Sequence, residues 1–495
     1  MLQRQHWPSR WVFILAAIGS AAGLGNLWRF PFLAYEHGGA AFILVLVLAN
    51  IVIGIPLLIL EIGLGQMMQR AAPDAMGKIR KGFRYLGWLA ITLGMMVLFY
   101  YMAVMSWSVN YFASAFTLAW GDDTVNFFLG DILNLSGGVN DIGGISWPVL
   151  SGLLFAWALV YFSVWKGVQS VSKVVVWTAT LPFVILAILI VRALTLEGAG
   201  EGVSLFLVPN WSSLANPDLW IAAFSQVFFS LSLAFGIMIA YGSFNPKQTE
   251  ITMSAVWVAV GNFLVSFMSG LVVFGTLGYM ATQQGVPVTE AVTGGPALVF
   301  MIFPLAISLL PAFNALIAVL FFGMLLTLAI DSAFSLLEAF SAAFRDRYAA
   351  APTKKIALLI SLVGIAGGLL FTTHAGLYFL DIADHFIVNY GLVIMGILET
   401  VIVGWAWKGN KLLEFVNKTS TVKLGVSWNI AIKYITPIFL TILLIINLKN
   451  EFVTPYEGYP IWALVYIGAL PIILSPFIAV LLDRLTTRKQ AAVEE

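Results

Sequence analysis

The chain has 495 residues, 60% hydrophobic and only 10% charged, far below the roughly 25% charged residues of soluble domains. A net charge of +1 offers no basic field for nucleic acid. The lack of cysteine excludes disulfides, thiolate metal sites and a cysteine nucleophile.

A helix needs roughly 20 mostly apolar residues to cross a bilayer. In chain order, twelve stretches qualify: 11–35, 41–67, 86–117, 147–165, 168–191, 219–243, 251–281, 304–344, 355–372, 378–407, 426–448 and 460–483. The leading residues "MLQRQHWPSR" run into span one with no small-residue cleavage site, so that span reads as a retained membrane helix. Span eight, 304–344, is longer than one crossing requires and is expected to tilt or protrude. Lys and Arg concentrate on cytoplasmic loops. With both termini inside, 21 of the 25 basic residues fall on that side, in clusters such as Arg70 to Arg84, Arg345 to Lys355, Lys408 to Lys423 and Arg484 to Lys489. The opposite loops keep little more than Arg192 and Lys449, and loop 118–146 carries aspartates but no Lys or Arg.

Charged residues inside spans cost about 2.5–3.5 kcal/mol each on insertion scales. Arg29, Glu61, Asp331, Glu338, Asp384, Glu399 and Lys433 all occur there. Glu338, Glu399 and Lys433 read best as snorkelling groups or structural pairs. Asp331 does not, because it lies deep in "FFGMLLTLAIDSAFSLLEAF" beside Ser332. Three further places are polar: Ser230 and Ser232 in "FFSLSLAFG", Asn262 and Ser266 in "VGNFLVSF", and Tyr101 in span three. Taken singly, each is what helix packing uses: a serine bonding back to its own helix, an asparagine joining two helices, a tyrosine capping an apolar core. Taken together with "GSAAGLGNLWRFP" at 19–31, they say something else. Spans one and six are both interrupted, five spans apart, and paired interruptions point to inverted repeats around a midplane binding site. Unwound backbone survives at that depth only where protein or a watery cavity covers it. There a half-helix N-terminus suits an anion, and freed carbonyls, hydroxyls and carboxylates suit a hard cation such as sodium.

The fold class expected is therefore all-α integral membrane: twelve helices, two five-helix inverted repeats with helices 1 and 6 broken, plus helices 11 and 12. The divisions are a cytoplasmic segment 1–10, a first repeat 11–192, a second repeat 219–407, helices at 426–483, and a cytoplasmic tail 484–495. The short termini and the scarcity of glycosylation signals point to a plasma membrane of bacterial inner-membrane type. Membrane lipid and a small molecule are the expected partners, with monomer or homodimer left open.

"AAGLGNLWRFPFLAYEHGGAAF" resembles the neurotransmitter:sodium symporter family, and so, in order and spacing through span ten, do "GIPLLILEIGLGQ", "FYYMAVMSW", "FSQVFFSLSLAFG", "LAIDSAFSLLEAF" and "FLDIAD". The resemblance implies a sodium-coupled symporter of a neutral aliphatic amino acid, working by alternating access. It implies a first sodium on the Ala21 carbonyl, Asn26, Asn262, Ser230 and the substrate carboxylate. A second would use carbonyls of Gly19, Ala22 and Leu328 with the side chains of Asp331 and Ser332; the bacterial leucine transporter has threonine at the Asp331 position. The substrate carboxylate would meet the Leu24 and Gly25 amides and Tyr101, and its ammonium the carbonyls of Ala21, Phe229 and Ser230 with the Ser232 hydroxyl. Val97, Phe229, Phe235, Ser332 and Leu336 would line the side-chain pocket, near Ala234, which replaces a common glycine. Gly23 stands where monoamine members carry aspartate, which favours a substrate bringing its own carboxylate.

The resemblance also implies gates. Arg29 and Asp384 would form an outer ion pair, while Arg4, Trp7 and Asp346 would close the cytoplasmic side, where Phe244 replaces the family's tyrosine. For chloride, Gln226, Ser230, Asn262 and Ser266 match the dependent members, and Ser266 replaces the glutamate of independent ones. The tyrosine position, however, reads Leu46. A proton-coupled carrier of the same broken-helix fold would not need Asn26, Asn262, Asp331 and Ser332 together. A non-transporting amino acid sensor would use the same residues. An enzyme is disfavoured, because the four histidines sit near span ends without metal-like spacing and no serine has a nucleophile-elbow context.

Overall fold

The computed structural model describes residues 4–292, 294–348, 350–407 and 410–494. Of the basic residues counted above, Lys408 lies outside these, as do the side chains of Arg488 and Lys489. Among the described residues the architecture is helical, with one isolated bridge between Ile145 and Thr373.

The chain enters the bundle at Ser9, whose side chain caps α1 (Arg10–Ala21) by accepting from Val12 N at 3.3 Å. After Ala22, which has non-helical φ −80° and ψ 81°, α2 (Gly25–Glu36) sets off at a 59° bend. Then come α3 (Ala40–Met68), α4 (Arg84–Ala115), α5 (Trp147–Val164) and α6 (Val168–Leu194). The next apolar stretch is again broken. α7 (Pro217–Ser230) starts at an Asn216 cap and α8 (Ile237–Ser243) resumes after six residues. α9 (Thr252–Gln284), α10 (Asn314–Arg347), α11 (Thr353–Thr372), α12 (Gly376–Ala406), α13 (Val426–Gly458) and α14 (Ile461–Thr487) complete the set.

Ten of these helices are long and apolar enough to cross a membrane, or eleven with α1 and α2 as one bent span. Twelve is reached only by also counting α7 with α8, which are 14 and 7 residues long. Span eight is corrected. Instead of one element over 304–344, a helix covering Gly295–Ser308 ends before a short turn, and α10 starts at Asn314. Phe313 at φ 65° ends the turn, and Pro311, which removes a backbone donor, sits inside it. Backbone helix continues from Leu470 to Glu494, through the start of the tail expected from 484.

The short half-helix α8 packs backbone to backbone on α3. A Cβ at Gly65 would overlap the Ile239 carbonyl, and one at Gly242 would overlap the Ile62 carbonyl. Membrane helices associate through such small residues because lipid supplies no hydrophobic drive between them. Large apolar side chains such as Trp11, Leu44, Phe155, Trp177 and Phe477 face outward, as lipid contact requires.

Candidate functional site

The two breaks meet at the centre of the bundle and enclose a cavity of about 160 Å³. All eleven residues expected to contact a substrate border it: Ala21, Leu24 and Gly25 from the first break, Val97 and Tyr101 from α4, Phe229, Ser230, Ser232 and Phe235 around the second, and Ser332 and Leu336 from α10. The first N–H groups of a helix have no intrahelical acceptor. At the start of α2 those groups belong to Leu24 and Gly25, both on the cavity wall. A Cβ at Gly23 would stand 2.9 Å from Ser332 Oγ and 3.6 Å from the Tyr101 hydroxyl, so a carboxylate on this residue would crowd Ser332 and take up space in the cavity.

The second break is held by side chains. Ser232 and Ala234 have positive φ, 53° and 66°, which costs a non-glycine residue strain. Each is tied down in return. Ser232 Oγ donates to the Ser20 carbonyl at 2.9 Å, and Ala234 N donates to Glu61 Oε1 at 2.8 Å. Ser332 Oγ reaches the same Ser20 carbonyl at 3.3 Å. These anchors, Ser20 and Glu61, were not read as part of the site from sequence, although an acid in a membrane span was the available signal for Glu61.

Two polar clusters flank the cavity. In the first, Asn26 Nδ2 donates to Asn262 Oδ1 and to Ser266 Oγ, both at 2.8 Å, and Asn262 Nδ2 donates to Ser230 Oγ at 2.8 Å. Asn26 Oδ1 accepts from Gly23 N at 3.1 Å, which ties the cluster to the first break. Gln226 borders the cavity beside this cluster, and its Oε1 has no hydrogen-bond partner. Leu46 is buried and has no donor to add. In the second cluster Asp331 is 1% exposed and, among the described residues, neither carboxylate oxygen has a partner within hydrogen-bond distance. Its carboxylate lies so close to Gly19 that a methyl group there would overlap Oδ2. Leu328 precedes Asp331 by one helical turn, and Ala22 closes the first half-helix with a non-helical backbone. An orphaned buried carboxylate beside freed carbonyls fits a small hard cation.

The ends of the bundle differ. At the end carrying the amino terminus, Arg4 is ion-paired with Asp346 and donates from Nε to the Ser243 carbonyl at 3.0 Å. Burial pulls the Arg4 guanidinium below its ordinary pKa, against the neighbouring Asp346. Asp346 also accepts from Ala71 N at 2.7 Å. Trp7 is buried and donates from Nε1 to the Tyr241 carbonyl at 2.9 Å. The Phe244 ring, with no hydroxyl, faces two guanidiniums, Arg4 at 5.0 Å and Arg345 at 5.7 Å. An Arg10–Glu250 pair at 3.0 Å adds a contact that sequence did not suggest.

At the opposite end a vestibule of about 680 Å³ opens above the cavity and shares Tyr101 and Phe229 with it. Here the two members of the expected outer ion pair stand apart. Arg29 and Asp384 both line the vestibule, yet no ion pair within 4.0 Å joins them among the described residues. Asp384 accepts from the Tyr100 hydroxyl at 2.7 Å, and the Arg29 guanidinium lies over the Phe229 ring at 5.1 Å. Each partner has a competing attachment on its own wall, so the pair is open.

Comparison with known proteins agrees in kind. The profile of the Sodium:neurotransmitter symporter family matches residues 4–124 and 121–488. A protein of Methanocaldococcus jannaschii described as an uncharacterized sodium-dependent transporter is 40% identical over 494 residues, 99% of each chain. The mouse sodium- and chloride-dependent GABA transporter 2 is 32% identical over 450 residues, covering 83% of this chain and 75% of its own. The Drosophila melanogaster sodium- and chloride-dependent GABA transporter ine is 30% identical over 505 residues, covering 93% of this chain and 53% of its own.

Proposed function

Because the chain belongs to the sodium:neurotransmitter symporter family, a family of sodium-dependent membrane transporters and not of enzymes, we propose that it carries a neutral aliphatic amino acid inward together with sodium. The observation that carries this reading is the central cavity, which joins a helix N-terminus to an apolar end, with the buried acid Asp331 next in sequence to the lining residue Ser332. The Leu24 and Gly25 amides take the substrate carboxylate, with Tyr101 beside them. Carbonyls at Ala21, Phe229 and Ser230 and the Ser232 hydroxyl take the ammonium. Gly23 leaves the charge balance to the substrate, which argues for an amino acid and against a monoamine.

Two sodium ions are co-substrates. The first is held by the Ala21 carbonyl, Asn26, Asn262, Ser230 and the substrate's own carboxylate. Each then raises the other's affinity by the same factor, since linkage is reciprocal. The second is held by Asp331, Ser332 and carbonyls of Gly19, Ala22 and Leu328. Chloride at Gln226, Ser230, Asn262 and Ser266 offsets part of this positive charge, even with Leu46 at the fifth position.

Transport runs by alternating access between two five-helix repeats, 11–192 and 219–407, with both termini cytoplasmic as the basic loops require. The present form is closed at the Arg4–Asp346 end and open at the vestibule. Substrate and sodium draw Tyr101 and Phe229 over the cavity and bring Arg29 to Asp384. Such a pair is worth ~0–1 kcal/mol when exposed, so it can open again.

Uptake by purified protein in liposomes tests the reading. An inward sodium gradient should concentrate one aliphatic amino acid, and replacing sodium by choline should abolish this. Uptake driven equally well by acid outside without sodium would point to proton coupling. Sodium-dependent binding without counterflow would make the protein a sensor. Preference for GABA over every α-amino acid would overturn the substrate class.

A further inference from the structure

We infer that Gly94 sets the depth of the apolar end of the cavity, and so the largest side chain the carrier accepts. This rests on the amino acid reading above. Gly94, Val97 and Tyr101 are spaced three and seven residues apart on α4 and share one face. Tyr101 stands at the carboxylate end, beside Gly23, and Val97 borders the middle. About 10 Å of helix axis separates Tyr101 from Gly94. The lower end of this stripe is not a cavity wall itself. Two wall residues, Leu336 and Phe235, lean back onto it from α10 and the second break.

The contact is close. A Cβ on Gly94 would lie 3.1 Å from Leu336 Cδ2 and 3.6 Å from Phe235 Cδ1. Carbon atoms prefer about 3.5–4.0 Å, so Leu336 has to move if that methyl is added. Protein interiors are close-packed, and both side chains border one large free space, the cavity. A methyl at position 94 therefore pushes the floor upward into about 160 Å³. The missing side chain of Gly94 is what lets Leu336 and Phe235 lie flat. Specificity for side-chain length is thus set by a residue that does not touch the substrate, acting through two that do.

The test compares uptake of labelled leucine and alanine by the full-length protein in liposomes under an inward sodium gradient. Wild type is measured first, and failure to take up either amino acid would defeat the functional reading before any variant is made. Gly94→Ala should keep sodium-dependent alanine uptake and lower the leucine-to-alanine ratio of kcat/KM at least tenfold, the scale of one methylene in a fitted pocket. Adding Leu336→Val, which removes a methyl facing position 94, should return the ratio toward wild type. A wild-type ratio in Gly94→Ala overturns the inference. Should Gly94→Ala fail to fold, the double variant decides: folding with wild-type selectivity supports the collision with Leu336, and failure to fold shows Gly94 to be a helix-packing residue only.

Discussion

The two polar clusters beside the cavity solve opposite problems. Asn26, Asn262, Ser230 and Ser266 satisfy one another through bonds of 2.8 Å. Asp331 has no donor for either oxygen, although it is 1% exposed. Neutral amides and hydroxyls can trade partners at little net cost, since a hydrogen bond is worth only about 0.5–1.5 kcal/mol net. A buried carboxylate cannot, because leaving it charged without a partner costs far more. On the proposed reading, the first cluster can form without a cation and the second depends on one, which would make the second site the one that couples sodium to the shape of the bundle.

The sharpest way to break this contrast is Asp331→Asn. It should abolish sodium-driven uptake, lowering it more than a hundredfold, and remove the rise in melting temperature that sodium gives the wild type. An unchanged sodium shift would mean that Asp331 is not a ligand. Gly23→Asp sets a new carboxylate between the clusters, against Ser332 Oγ. Amino acid uptake should fall by about a hundredfold while the sodium-induced melting shift persists, measured by scintillation and by thermal unfolding. Asn262→Ala leaves Asn26 Nδ2 and Ser230 Oγ short of partners, at about 1–3 kcal/mol. Substrate affinity should drop roughly ten- to hundredfold at fixed sodium, with the Asp331 response intact in the same titration. Smallest is Ser266→Glu, whose fixed charge should leave uptake within a few fold of wild type but make it indifferent to replacement of chloride by gluconate. Loss of uptake in both buffers would count against an anion beside Ser266.

Sequence showed the breaks because "GSAAGLGNLWRFP" and "FFSLSLAFG" interrupt apolar stretches with residues a lipid-facing helix has no use for. It showed Asp331 for the same reason. What it did not show depends on three-dimensional proximity. Nothing in the pattern ties Glu61 to the amide of Ala234, 173 residues away, or the Ser20 carbonyl to two hydroxyls, one from the second break and one from α10. Gly94 passed unnoticed because its role is to leave room. The division of span eight was missed because the stretch 298–310 is apolar but for Ser308, and the turn is signalled only by Pro311 and Asn314. The outer ion pair came from the family resemblance, which names the two partners but not whether the gate they form is open or shut.

Asp331 has a consequence beyond chemistry. It lies halfway along α10, 17 residues from Asn314 and 16 from Arg347, so its charge sits near the middle of the electric field across the membrane. Moving one elementary charge through the whole field is worth about 2.3 kcal/mol per 100 mV. A cation that reaches Asp331 from outside crosses about half of it, gaining roughly 1.1 kcal/mol per 100 mV when the interior is negative. With sodium bound at Asp331 as proposed, affinity would be tied to voltage: a cell that depolarises would loosen its own carrier's grip on the ion, before any change in the sodium gradient is felt.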